Sequence, residues 1–570
     1  MTLLVFRRAL LDYRRRPLNL VMLVAVPVVI VIAWSGQLAS FSKLMSAGAK
    51  PAHLDVATAG WAAAAVAGLA GFFQVVGSRT TDRRLAAASA RGAISVVAGR
   101  LFAAVVLACA ASAVALVALA IRGGIADPAR AIPAVVVVAV VYVAIGVLVG
   151  TFTRSEMNGA LVITVIWMLD VFVGTGVGGG SSLITRLFPM HFPTMVLTSQ
   201  AADHGGPISD VGWTLIWATG LAIIAVARLN VSTRPARDAH LAPTGVTTSS
   251  VPQPAPAAIA PNVTATAPLS TSQQQPSAAV RTPAALSTRT HRAMGSSRVA
   301  AGLRAAFRDY RRNRVLWALL VVVPVFFIAL AAAQTATTPM PVSLLDGSRQ
   351  LTIMRSLRQI HAPEMASIAS ALLAGVAGLF VVTGSADGDR RLVLAGYRPR
   401  EVLAAHLGVI AGAAVVVTTV SLAVSAVFVS PQNWIEYAGA DLLIALTYAM
   451  IGVLLGPLVG RLGGLYVLLL LSMVDVGFGQ TVMFKPVPPT WGAFLPARGA
   501  GHLLLDGAFT SSFEQYGQLL LALVWLAGLT VAAALTFRHQ TGAKLTRHTN
   551  AAPSAHGADP NGAVPSTSGP

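Results

Sequence analysis

The residues with the clearest chemical potential are charged side chains that recur in one short pattern. The two copies are Asp82-Arg83-Arg84-Leu85 and Asp389-Arg390-Arg391-Leu392. A turn breaker follows each copy, Arg91-Gly92 in the first and Arg398-Pro399 in the second. The breaker predicts a short charged helix in the loop, separate from the apolar helix that comes next. Such a helix suits the binding of a partner protein, and a plain solvated loop is the alternative.

Two acids interrupt apolar runs, and the residues around the two acids are similar. Asp170 lies in Met168-Leu169-Asp170-Val171, and Asp475 lies in Met473-Val474-Asp475-Val476. An ionised carboxylate at the centre of a membrane helix costs about 2.5–3.5 kcal/mol, so such residues usually face a bundle interior or a wet cavity. Asp170 and Asp475 are therefore candidates for a substrate path. The alternative is a position near the outer end of the helix, in contact with water.

Other chemistry has no visible basis in the sequence. No G-x-x-x-x-G-K-[ST] phosphate loop occurs, and Gly178-Gly179-Gly180-Ser181-Ser182 lacks its lysine. Cys109 is the single cysteine, which excludes an internal disulfide and a multi-cysteine metal site. No Ser-His-Asp arrangement is recognisable. We therefore predict no catalytic residue, no metal and no cofactor on this chain, and no enzyme activity of its own.

Composition places these residues in a membrane protein. The 570 residues are 55% hydrophobic and 11% charged, and mean hydropathy is +0.71. Apolar runs of about 20 residues recur, the length of a membrane-spanning helix. The net charge of +20 does not indicate nucleic-acid binding, because arginines flank the apolar runs. The first run follows Arg14, Arg15 and Arg16 and is too long for a cleavable signal peptide. The predicted fold class is an all-α polytopic membrane protein.

An internal repeat organises the chain. Five segments recur in the same order at an offset near 300 residues. The matching pairs begin at Asp12 and Asp309, Gly77 and Gly384, Tyr142 and Tyr448, Met168 and Met473, and Phe188 and Leu495. Each half reads as about six spans, which gives about twelve. They are predicted near 18–40, 58–77, 97–121, 132–152, 159–177, 211–230, 315–335, 364–384, 402–428, 437–457, 462–480 and 517–536.

Four segments follow from this pattern. The first half covers 1–232 and the second half 298–540. A Pro-, Ala-, Ser- and Gln-rich linker at 233–297 and a tail at 541–570 are predicted to be disordered. Lys and Arg collect on the amino-terminal side of each half. We therefore expect both termini and the linker in the cytoplasm, and two parallel repeats.

An amphipathic helix precedes the first span of each half. Apolar and aromatic residues alternate there with arginines at helical spacing, so the helix is expected to lie in the membrane interface and contact lipid. Plain topogenic charge is the alternative. The residues assigned to it are Phe6, Tyr13, Arg14 and Arg15, and Phe307, Tyr310, Arg311 and Arg312.

The interfacial helix, six spans and a charged first cytoplasmic loop resemble the membrane subunit of a type 2 ABC transporter. Two halves fused in one chain resemble the tetronasin-type antibiotic exporter permeases. The resemblance implies that the loops are coupling loops for a separate ABC ATPase. Two copies of that ATPase, carrying ATP and Mg, would drive export of a small hydrophobic substrate. Many such permeases open the loop with Glu-x-Gly-Thr, where this chain has Asp82-Arg83-Arg84 and Asp389-Arg390-Arg391.

Two other functions stay open. A secondary transporter of the major facilitator type also has six plus six spans in parallel halves, although neither loop fits its G-x-x-x-D-R-x-G-R-R pattern. A membrane scaffold or membrane-embedded enzyme is the third class. Few charged residues lie in the spans, which favours a hydrophobic or amphipathic cargo such as an antibiotic or a lipid. The expected location is the bacterial inner (plasma) membrane. The charged loop residues are expected to support partner binding more than folding.

Overall fold

Nearly every element of the protein is a helix in the computed structural model. The model describes residues 1–15, 17–45, 54–87, 92–125, 127–153, 155–175, 183–198, 206–233, 303–304, 307–308, 311, 314–346, 349–394, 396–483 and 487–549. The predicted linker, apart from Thr233, and the positions Arg91, Tyr310 and Arg312 lie outside these residues.

The helices of the first half begin with the short amphipathic helix. They are α1 (Thr2–Arg14), α2 (Pro17–Met45), α3 (Leu54–Val76), α4 (Arg79–Ala87), α5 (Gly92–Gly123), α6 (Pro128–Phe152), α7 (Glu156–Leu169), α8 (His191–Thr198) and α9 (Gly206–Thr233). A π-helical turn, Asp170–Gly174, continues α7, and a 3₁₀ turn at Thr185–Leu187 precedes α8.

The second half repeats much of this order and adds a β-hairpin. Its elements are α10 (Arg314–Gln334), β1 (Pro339–Asp346), β2 (Arg349–Ser356), α11 (Leu357–Leu394), α12 (Pro399–Ser425), α13 (Trp434–Ser472), α14 (Arg498–Phe509) and α15 (Tyr516–Thr549). A π-helical segment, Met473–Gly479, continues α13, and a 3₁₀ turn at Thr490–Phe494 precedes α14. Gly460 has a positive φ of 74° and divides α13 into two helices.

Ten helices of the described chain are long and apolar enough to cross a membrane. Each satisfies its backbone hydrogen bonds internally, which is what a bilayer requires. The chain is therefore a multi-pass membrane protein, as predicted. The predicted fifth spans correspond to two shorter apolar helices, Asn158–Gly174 and Gly463–Gly479. The last helix runs to Thr549, so the prediction of disorder is wrong for residues 541–549, and the rest of the predicted tail lies outside the described residues.

The β-hairpin between α10 and α11 is the element that the sequence analysis missed. Its antiparallel register pairs Pro339 with Ser356 and Asp346 with Arg349. Met340, Val342 and Leu344 are buried on one side, which is the alternation expected of a half-buried strand. Eight-residue strands are short beside the apolar spans, so the span pattern concealed them.

Small residues set the closest helix contacts. A Cβ on Gly146 of α6 would overlap the carbonyl oxygen of Gly68 on α3, and a Cβ on Gly452 of α13 would overlap that of Gly375 on α11. Close backbone approach through glycine is typical of membrane helix pairs, because lipid offers no hydrophobic drive to association. These crossings hold α3 and α11 at the centre of their halves, where the apolar cores of both helices are almost wholly buried.

Candidate functional site between the two halves

A cavity lies where the two halves meet, and helices from both halves form its walls. Its volume is ≈ 80 Å³. The first half contributes α2, α3 and the π turn after α7, and the second contributes α10, α11 and the π segment after α13. Drug-sized ligands occupy pockets of about 300–1,000 Å³, so in this conformation the cavity has room only for a small group.

The first-half wall is aromatic and centres on Trp34. The ring of Trp34 lies 4.6 Å from that of Phe478 in the second half, 5.9 Å from Trp61 and 6.1 Å from Phe172 (centroid distances). Gln37 Nε2 also reaches across to the Phe478 carbonyl oxygen, at 3.5 Å. Ring contacts and this hydrogen bond therefore join the halves at the cavity.

The second-half wall is polar, and Glu364 is its acid. Both carboxylate oxygens accept from Thr481 Oγ1 at 2.7 Å, and one also accepts from the Val482 backbone N–H at 2.9 Å. His361, one helical turn earlier, has Nδ1 2.6 Å from Thr335 Oγ1. Within the described chain no Lys, Arg or His forms an ion pair with Glu364. A buried carboxylate normally has such a partner.

The sequence analysis missed Glu364 and His361, although the repeat holds a signal for them. At the offset of 307 that aligns Gly77 with Gly384, Glu364 falls on Ala57 and His361 on Leu54. Asp441, which accepts from Ser370 Oγ at 2.8 Å, similarly stands where the first half has Val135. Glu364 and His361 line the cavity, whereas Asp441 lies outside its described lining.

The predicted substrate-path acids lie beside the cavity and are absent from its lining. Asp170 accepts from Tyr142 Oη at 2.7 Å and from the Met190 backbone N–H at 3.1 Å. Asp475 accepts from Tyr448 Oη at 2.9 Å. Both side chains are fully buried, so neither contacts outside water as the alternative interpretation proposed. Their place on a substrate path stays a prediction.

Asp475 has two further partners, and one of them resembles a partner of Asp170. Its carboxylate accepts from the Ala497 backbone N–H at 2.9 Å and from Gln480 Nε2 at 3.0 Å. Ala497 follows Pro496 as Met190 follows Pro189. Each aspartate thus ties a spanning helix to the segment that returns toward the last helix of its half.

The aspartates of the two charged loops face inward. Asp82 pairs with Arg100 on α5 at 3.0 Å and accepts from Ser78 Oγ at 2.7 Å. Asp389 contacts His406 Nε2 on α12 at 2.8 Å and accepts from Ser385 Oγ at 3.0 Å. The expectation that the charged loop residues mainly serve partner binding is wrong for these two acids. Both are buried and hold each loop to the next helix.

Arginines form the outward part of each loop. Arg84, Arg391 and Arg398 are exposed, which leaves them available to a partner. The side chains of Arg83 and Arg390 lie outside the described part. In the first half the loop forms the separate helix α4, as predicted. In the second half it is the end of α11 itself, because no break follows Gly384.

The helix α11 connects the cavity to the second charged loop. It runs unbroken from Leu357 to Leu394, with Glu364 near one end and Asp389 near the other. These residues are 25 positions apart, which is about 37 Å along an α-helix. One helix therefore contributes both to the wall of the cavity and to the second charged loop.

The amphipathic helix α1 packs on the first half through small and aromatic residues. Val5 and Ala9 are buried, and Phe6 meets Phe102 of α5 edge to face at 5.3 Å. Tyr13 Oη donates to the Asn19 carbonyl at 3.2 Å, and burial raises the pKa of Tyr13 to about 12. Arg14 and Arg15 are exposed, whereas Leu3 and Leu4 form the free apolar face.

The corresponding second-half residues are less completely described. Phe307 is exposed and meets Trp317 of α10 at 6.2 Å between ring centroids. Arg311 is exposed too. An exposed apolar and basic surface is what an interfacial helix presents to lipid.

The site and fold define a multi-pass membrane protein with a cavity between two helical halves. Protein-family models give no match to the chain, and no curated protein matches it. Among the described residues, no group of three or more His, Cys, Asp and Glu side chains is placed to hold a metal ion.

Proposed function

We propose that this chain is the membrane-spanning permease of an ATP-driven exporter. It spans the inner membrane with about twelve helices in two parallel repeats, and its termini and linker lie in the cytoplasm. A separate ABC ATPase, present as two copies with ATP and Mg, binds the charged loops. The cargo is a hydrophobic or amphipathic molecule such as an antibiotic or a lipid. The resemblance of the sequence to type 2 ABC permeases is the starting point of this proposal.

The observation that carries the proposal is the link between the loops and the cavity. Asp82 and Asp389 fasten the two loops to α5 and α12, so that a push on a loop moves a spanning helix. On the cavity side, α11 presents Glu364 to the space between the halves. A partner that draws the two loops together on binding ATP would rock the halves about this interface.

The interface itself suits such a motion. The cavity is too small for a drug-sized cargo, so transport requires the halves to separate. Packed interfaces switch between discrete arrangements and do not deform continuously. An ATPase with different affinity for the two arrangements supplies the bias.

A secondary transporter of the major facilitator type is the second candidate, and one observation favours it. Glu364 and His361 are titratable groups in the cavity, the kind of residue that relays protons in ion-coupled transporters. This function would need a proton gradient and no partner ATPase. The two candidates therefore differ in what must accompany the chain.

The test is purification of the tagged chain from membranes of its native host in mild detergent. We expect an ATPase with a phosphate loop to co-purify and to show vanadate-sensitive hydrolysis. The double variant Arg84→Glu, Arg391→Glu should lose both. Arg130→Glu is the matched control, because Arg130 is a partly exposed arginine at the opposite end of the bundle. Absence of any ATPase from wild-type preparations would contradict the proposal.

A further inference from the structure

We infer that the cavity binds the head group of a lipophilic organic cation that also carries a hydrogen-bond acceptor. The cation pairs with Glu364, and the acceptor takes the indole N–H of Trp34. This inference names the substrate class of the proposed exporter and rests on that function. It draws on the Glu364 carboxylate, the aromatic rings and the Trp34 indole N–H of the cavity.

Glu364 supplies the charge. Its side chain is buried, and its described hydrogen-bond donors are the Thr481 hydroxyl and the Val482 N–H, both neutral. Thr481 Oγ1 itself accepts from the Met483 N–H at 3.1 Å, which leaves its proton for the carboxylate. These donors stabilise a carboxylate, and among the described residues no cation balances its charge.

The indole N–H of Trp34 is a polar group of the cavity wall that has no hydrogen-bond partner among the described residues. Trp34 is 1% exposed, and no acceptor among the described residues reaches its Nε1. The neighbouring indoles are satisfied: Trp167 Nε1 donates to the Trp61 carbonyl at 2.8 Å, and Trp61 Nε1 to Thr194 at 3.4 Å. Buried indole N–H groups usually find a partner. Because Trp34 lines the cavity, we assign that partner to the ligand.

The aromatic wall selects for positive charge in the same place. Trp34, Trp61, Phe172 and Phe478 line the cavity together. The faces of such rings attract ammonium groups, and cages of this kind recognise quaternary ammonium ligands. Among the described residues that line the cavity there is no Lys or Arg. The one basic side chain among the described lining residues is His361, whose Nδ1 contacts Thr335 Oγ1, so an anionic head group would meet Glu364 with no Lys or Arg from those residues to offset the repulsion.

Octanoylcholine is a suitable probe, because it joins a trimethylammonium head, an ester carbonyl and an apolar tail. Octanoyl isethionate is its matched anion, with a sulfonate in place of the ammonium. Binding to the full chain in lipid nanodiscs is measured for both by equilibrium dialysis. We expect the wild-type chain to bind the choline ester roughly 30-fold or more tightly, the low end of what an unpaired buried charge costs.

Variants separate the contacts. Glu364→Gln should weaken octanoylcholine binding by a similar factor and leave isethionate binding unchanged or stronger. Trp34→Phe keeps a ring and removes the N–H, so it should weaken octanoylcholine binding by several-fold. Glu436→Gln is the matched control, since Glu436 is a buried acid of the same half outside the cavity lining. It should bind as wild type does.

Equal binding of the two esters by the wild-type chain would overturn the inference, whether or not the variants fold. Unchanged octanoylcholine binding by a folded Glu364→Gln chain would also overturn it. These measurements need neither ATP nor an ATPase. If the chain shows no cation selectivity but an ATPase co-purifies with it, the exporter proposal holds and the cargo is of another class. If the chain is cation-selective but no ATPase co-purifies, the exporter proposal is contradicted and the binding inference holds.

Discussion

Tyr142 donates a hydrogen bond of 2.7 Å to Asp170, and both side chains are fully buried. The same contact joins Tyr448 to Asp475 at 2.9 Å. Each pair links the middle of one spanning helix to the end of a shorter one, where a π turn begins. We interpret these pairs as contacts that stabilise the packing within each of the two halves.

Removing a tyrosine hydroxyl should destabilise the protein. Tyr142→Phe and Tyr448→Phe each take one donor from a buried carboxylate, at a cost of about 1–3 kcal/mol. Thermal unfolding of the purified chain should show a lower apparent melting temperature for both. Tyr516→Phe is the control, because Tyr516 is 69% exposed. Equal melting temperatures for all three variants would show that the pairs are not needed for stability.

The glycine crossings give a second prediction. Gly146→Ala and Gly452→Ala place a methyl group against a carbonyl oxygen of the facing helix, and overpacking costs about 1–3 kcal/mol. Gly412→Ala and Gly220→Ala meet open space in helices and should be neutral or slightly stabilising. Folded yield and apparent melting temperature separate the two groups. Similar values across all four variants would contradict the close approach.

Within the charged loops, inward and outward residues should behave differently. Arg100→Gln leaves Asp82 buried without its cation, which typically costs about 3–5 kcal/mol. Arg84→Glu changes an exposed side chain and should leave folding intact. Size-exclusion profiles and melting curves of the two variants test this. A well-folded Arg100→Gln chain, as stable as wild type, would show that the ion pair does not hold the loop.

Topology is tested by labelling in intact cells. In a Cys109→Ala background, Thr352→Cys in the β-hairpin should react with an impermeant thiol reagent, because the hairpin is expected outside. Ser272→Cys in the linker should stay unlabelled until the cells are opened. The reverse pattern would invert the predicted orientation, which rests on the distribution of Lys and Arg.

The helical, multi-pass character of the fold followed from the length of the apolar runs, because membrane helices satisfy their own backbone hydrogen bonds and leave a strong pattern. The hairpin at Pro339–Ser356 was missed, since short strands carry a weak signal beside long spans. The sequence analysis identified the acids of the charged loops, but it did not predict that their side chains face inward. Asp82 and Arg100 are 18 positions apart, and only the fold brings them together.

The candidate site was less accessible to sequence reasoning. Asp170 and Asp475 drew attention as acids in apolar runs, yet their partners Met190 and Ala497 are backbone groups that no residue type reveals. Glu364 lies near the start of a predicted span, where an acidic residue is not unusual. Its departure from Ala57 in the repeat is the signal that would have identified it.

Photo-crosslinking from the loops tests the central claim most directly. A photo-reactive phenylalanine replaces Arg84, Arg391 or, as a control in the hairpin, Thr352, in cells of the native host. The account predicts that positions 84 and 391 both crosslink to the same phosphate-loop ATPase and that position 352 does not. Absence of an ATPase adduct from both loop positions, in chains that are folded and active in export, would contradict the account.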